Sequence, residues 1–116
     1  MDRTAILRRG FVLALGALGL AFAAAPGLAK PARCFTTDDG DYACDFKAIG
    51  GDGSFTISAP GKPTFTLIMD QPGVAFGSVV FEPGGDSAAL PDVYRRSTED
   101  PACWLNDTTS TKICAW

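Results

Sequence analysis

Four cysteines are the residues most able to do chemistry in this chain, and they stand as two close pairs. Cys34 and Cys44 enclose nine residues, Cys103 and Cys114 enclose ten. Structural zinc sites set paired cysteines about two to four residues apart and often add histidine. The chain has no histidine, so zinc is disfavoured. A redox dithiol is disfavoured as well, because no Cys-x-x-Cys occurs. The pairs read as two disulfides, Cys34 to Cys44 and Cys103 to Cys114, with no metal and no cofactor required.

The missing histidine also removes Ser-His-Asp and Cys-His catalysis, and oxidised cysteines cannot act as nucleophiles. A carboxylate pair or a Ser-Lys pair survives in principle. Asp38, Asp39, Asp41, Asp45 and Asp52 crowd one stretch, and calcium takes such oxygen ligands. The spacing matches neither an EF-hand loop nor a repeated calcium-binding turn. Asp and Gly are ordinary turn residues, so solvated turns are the expected reading.

Recognition suits the late residues better than catalysis does. Tyr94, Arg95 and Arg96 are adjacent, Trp104 and Trp116 flank the second cysteine pair, and Trp, Tyr and Arg dominate protein interfaces. Tyr94, Arg95, Arg96 and Trp116 are the candidate binding residues. Trp104 is assigned instead to the core, opposed to Ile113 and packed over the second disulfide. Asn106-Asp107-Thr108 has the form of an N-glycosylation acceptor on a loop tip, a pattern that short polar turns also produce by chance.

The elements that must position these residues are short strands. Between Cys34 and Cys44, Asp38-Asp39-Gly40 reads as a three-residue hairpin loop with Gly40 left-handed. That register sets Thr37 opposite Asp41 and Cys34 directly opposite Cys44. The second hairpin, with a four-residue loop from Asp107 to Ser110, sets Cys103 opposite Cys114. Each disulfide closes a loop short enough to contribute about 2.5 to 3 kcal/mol.

Between the hairpins, Phe55 and Ile57 alternate with polar residues, as do Phe65, Leu67 and Met69. Val74 to Glu82 is nearly all apolar and reads as a buried central strand, with Gly77 marking a bulge or a close approach. Leu90 to Ser97 reads as either a strand or one helical turn. Asp100-Pro101 is a competing helix start. About seven short strands at this spacing predict an all-β antiparallel sandwich or barrel.

The N-terminus sets the compartment. Arg3, Arg8 and Arg9 precede an apolar run from Phe11 to Ala25, and Gly27-Leu28-Ala29 offers small residues for cleavage. The reading is a signal peptide over 1-29 and one small β domain over 30-116. The run is too short for a membrane anchor, and no cysteine is placed for lipidation. The general secretory route is favoured over the twin-arginine route that Arg8-Arg9 resembles, giving a periplasmic or secreted protein.

Removing Arg3, Arg8, Arg9 and Asp2 leaves 7 basic and 12 acidic residues and moves the net charge from −3 to −5. That disfavours nucleic acid and anionic membrane surfaces as partners. In size, compartment and class the chain is similar to the small exported lysozyme inhibitors, which are compact disulfide-bonded β domains. Their Ser-Gly followed closely by Tyr is absent, so no site residue is carried over from them. The expected function is a non-catalytic exported domain that binds a protein or cell-envelope ligand. The alternatives are a structural accessory protein without a ligand site and a small histidine-free hydrolase.

Overall fold

Alternation of apolar and polar residues closes this chain into a barrel. The computed structural model describes residues 28–116; the proposed signal segment lies outside them apart from Leu28 and Ala29. Nine strands follow: β1 Lys30–Thr36, β2 Gly40–Ile49, β3 Ser54–Ala59, β4 Lys62–Gln71, β5 Val74–Val80, β6 Ala88–Ala89, β7 Tyr94–Arg96, β8 Cys103–Asn106 and β9 Thr111–Ala115. No helix forms among the described residues, and Asp100-Pro101 sits in a turn.

All pairings among the described residues are antiparallel, and strands consecutive in sequence pair with each other except β6 and β7, which both pair with β5. Pairing of β9 with β1 closes eight strands into a meander, with β6 as an extra piece on β5. Closure removes the exposed edges that an open sheet of short strands would present.

The sixth wall of the barrel is split, and the split explains why Leu90 to Ser97 is ambiguous in sequence. Ala88 and Ala89 pair with Val79 and Ser78, and the Leu90 N–H donates to the Gly77 carbonyl at 2.9 Å. Pairing resumes at Tyr94 with Ala75 and Arg95 with Val74. Three residues, Pro91 to Val93, therefore stand where Phe76 alone passes. Pro91 has no N–H to give the ladder, and Asp92 turns the chain at φ 56°.

An eight-stranded barrel is just wide enough for its own side chains to fill. Cys34, Cys44, Phe55, Ile57, Leu67, Ala75, Tyr94, Trp104 and Ile113 form the core. Phe46 stacks on Phe55 with ring centroids 5.0 Å apart. Gly77 marks a close approach: a Cβ there would come within 2.7 Å of the Tyr94 ring. Because this packing uses one face of each strand, β5 is not the fully buried strand its composition implies. Phe76 points outward and is 51% exposed, and Phe81 just beyond the strand is 67% exposed.

Both disulfides pair as the cysteine spacing implies, Cys34 with Cys44 and Cys103 with Cys114. The second hairpin has the expected register, with Cys103 opposite Cys114 and Trp104 opposite Ile113. The first is shifted by two residues. Thr36 faces Gly40 and Cys34 faces Tyr42, so Cys34 reaches Cys44 diagonally with a Cα separation of 5.8 Å. Gly40 is still left-handed, at φ 71°, but it closes the loop as the first residue of β2. The loop keeps three residues but starts one earlier, Thr37 to Asp39, and the Thr36 hydroxyl, which accepts from the Asp39 N–H, favours that placement.

Side-chain alternation also corrects the setting of Trp104. Adjacent residues of a strand point to opposite faces, so Trp104 and Ile113 cannot cover the cystine beside them. Their rings and branches enter the interior with Cys34 and Cys44, whereas Cys103 and Cys114 lie on the outer wall. One disulfide is thus part of the core and the other joins two strands from outside.

Candidate functional site

The four candidate binding residues fall into three settings. Tyr94 is 3% exposed, with its ring in the barrel and its hydroxyl 3.4 Å from the Thr111 hydroxyl. The ring fills the space that Gly77 leaves, a role that adjacency in sequence to Arg95 and Arg96 does not reveal. Arg95 alternates to the outer wall, exposed and paired with Leu105. Arg96 lies at one end of the barrel and Trp116 on the wall beside that end.

Arg96 and Trp116 are brought to the same end by the loop from Ser97 to Ala102 and lie on its two sides. The loop is tied internally: the Ser97 hydroxyl accepts from the Glu99 and Asp100 N–H groups, and the Asp100 carboxylate accepts from the Ala102 N–H. Its base is joined to the last strand, where the Ala115 N–H donates to the Ala102 carbonyl.

On the barrel side, the Arg96 guanidinium lies over Trp104 at 4.5 Å from the ring centroid, and Nη1 donates to the Pro101 carbonyl at 2.9 Å. Stacking and one neutral hydrogen bond fix the group without neutralising it. Among the described residues no carboxylate reaches salt-bridge distance of Arg96. Arg96 is shared by two openings. One, of about 170 Å³, is lined by Phe46, Phe55, Trp104 and Ala115. The other is an open cleft of about 540 Å³ bounded by Asp52, Met69, Asp70, Gln71, Pro72 and Gly73.

Asp52 belongs to the turn between β2 and β3. The Ser54 hydroxyl and the Ser54 N–H, the latter at 3.0 Å, hold its carboxyl below the usual carboxylate range. Ser54 is itself fixed, since its hydroxyl accepts from the Met69 N–H at 2.8 Å. Asp52 is therefore a turn former whose charge faces the cleft opening. Among the described residues no group of three His, Cys, Asp or Glu side chains is placed to hold a metal ion.

On the outer side of the loop, Trp116 is 44% exposed yet well held. Arg33 lies 4.1 Å from its ring centroid, and its Nε1 donates to the Asp100 carboxylate at 3.0 Å. The indole borders a shallow groove with Phe35, Leu105, Lys112 and the Cys103–Cys114 disulfide. Lys112 lies over the Phe35 ring at 5.0 Å. Arg33 and Phe35 were not candidates from sequence, because β1 reaches this wall only through barrel closure against β9.

The glycosylation pattern at Asn106 falls on a buried side chain. Asn106 is 1% exposed; its amide donates to the Pro91 carbonyl at 2.8 Å, and its oxygen accepts from the Thr108 and Thr109 N–H groups. Every use of the side chain is structural, and a glycan on Nδ2 cannot be housed in this fold.

These features define a small, closed, disulfide-bonded antiparallel barrel with an organised aromatic and basic end. Two disulfides in so small a domain are compatible with an extracellular or periplasmic compartment. Comparison with protein-family models, with curated proteins and with solved structures gives no match.

Proposed function

We propose that the chain is a non-catalytic exported binding domain, periplasmic or secreted, whose protein or cell-envelope ligand docks at the end formed by the Ser97 to Ala102 loop. The observation that carries this reading is Arg96. In a chain richer in acids than in bases, this guanidinium is held by an aromatic ring and a carbonyl, not by a carboxylate. Its side chain lines two open clefts. Trp116 supplies a flat, fixed ring on the other side of the same loop, so one ligand can engage a cation and an indole together. Arg95, on the adjoining wall, extends the basic character of that end.

The test uses tagged full-length protein, exported by its own signal segment, incubated with envelope extract. Arg96→Ala and Trp116→Ala should lose the ligand that the unaltered protein retains, with melting temperatures nearly unchanged. Trp104→Ala should instead unfold early, losing about 3 to 5 kcal/mol, because its ring is 2% exposed. Full retention by both surface variants refutes the site, and no ligand with any form favours a structural accessory role.

A further inference from the structure

Resting on that reading, we propose that the cleft beside Arg96 takes a small zwitterion, an amino acid or short peptide carrying both a free carboxylate and a free ammonium group. The cleft contains both charge signs. Arg96 supplies the cation, oriented by Trp104 and Pro101. Asp52 and Asp70 supply carboxylates from the β2 to β3 turn and the end of β4. A plain anion attracted to Arg96 would meet those two carboxylates, and a plain cation would meet Arg96. A ligand with both charges satisfies each at once.

The site is fixed before a ligand arrives. Asp52 is held ionised by Ser54, and the Arg96 N–H donates to the Gly73 carbonyl at 3.0 Å, fastening β7 to the turn after β4. Met69 and Pro72 add apolar contact, and about 540 Å³ lies within the range of small-molecule sites. Backbone approach is open at Gly73, where a Cβ would meet nothing within 4 Å.

The experiment is an amide NMR titration of the ¹⁵N-labelled exported protein with Ala-Ala, N-acetyl-Ala-Ala, Ala-Ala-amide and sodium sulfate. Ala-Ala should move the amides of Asp52, Gly53, Gly73 and Arg96, and each blocked peptide should bind at least about tenfold more weakly, since each loses one charge-assisted contact. Arg96→Ala should abolish the response, and Asp52→Asn with Asp70→Asn should make Ala-Ala and N-acetyl-Ala-Ala equivalent. Binding of either blocked peptide as tightly as Ala-Ala, a response to sulfate equal to that of Ala-Ala, or no response up to ~10 mM overturns the zwitterion assignment. If the envelope ligand is still lost in Arg96→Ala, the broader binding reading survives that result; if it is retained there and in Trp116→Ala, both fall.

Discussion

Asn106→Ala should be among the most destabilising single changes in the barrel, and the reason is the split wall. Beyond Leu105, β8 keeps its pairing with β9 at Thr111 but has no backbone partner on its other side, because the ladder with β7 stops at Arg95 and β6 pairs only with β5. Asn106 bridges this seam, with its amide on the Pro91 carbonyl and its oxygen on two N–H groups of the following turn. Each hydrogen bond contributes about 1 kcal/mol net, so losing all three costs about 3 kcal/mol before any cavity is counted. In a domain of this size that lowers the melting temperature by about 12 to 24 °C. Urea unfolding with both disulfides intact measures it, and a loss under about 1 kcal/mol would refute the keystone role.

Asn106→Asp separates the three bonds. The introduced carboxylate still accepts from Thr108 and Thr109 but cannot donate to Pro91, and its charge is buried against a carbonyl oxygen. Burial and the Pro91 carbonyl raise its folded-state pKa while the two accepted N–H bonds lower it, and at a position only 1% exposed the net shift is expected upward from the unfolded value of about 3.9. A raised pKa means that stability is retained below the unfolded pKa and is lost as pH rises through the folded one. The variant should therefore approach the unaltered protein near pH 3 to 4, roughly the free carboxyl range, and fall away towards pH 7. A constant difference across that range would show that the Pro91 bond contributes little.

Gly77→Ala should cost about 1 to 3 kcal/mol, because the added methyl would sit 2.7 Å from Tyr94 Cε1 and 3.2 Å from Leu90 Cδ1; thermal melts read this directly, and an unchanged melt means the Tyr94 ring relaxes freely. Tyr42 should behave in the opposite way. Its hydroxyl is buried without a hydrogen-bond partner, and burial followed by the Asp39 charge pushes its pKa up. Tyr42→Phe should leave stability equal or higher, and ultraviolet titration should lose the phenol that ionises later than an ordinary tyrosine; a drop in stability would mean the hydroxyl has a partner.

What the sequence revealed and what it concealed divide along one physical line. Local pattern carried the second hairpin in full, because Cys103, Trp104, Ile113 and Cys114 fall opposite one another once the Asp107 to Ser110 turn is placed. The first hairpin offered the same kind of pattern and a misleading register. Both registers put Cys34 and Cys44 on one face, and the choice was made by a side-chain bond from Thr36 that alternation does not encode. Barrel closure was beyond local pattern altogether. It placed Arg33 and Phe35 beside Trp116, and it turned Tyr94 inward onto Gly77, a residue seventeen positions earlier.

The candidate site shows the same division. Arg96 and Trp116 were legible as exposed recognition types, but adjacency suggested a single cluster with Tyr94 and Arg95, and a strand puts neighbours on opposite faces. In a barrel those faces are interior and solvent, so Tyr94 became core and Arg95 became wall. Arg96 escaped burial only because β7 ends there, at the barrel mouth, where a strand can present an inward-facing residue to solvent. The basic end is thus a product of where a three-residue strand stops. That stopping point is set by the turn through Ser97, whose hydroxyl receives two N–H groups at the first place the ladder with β8 ends.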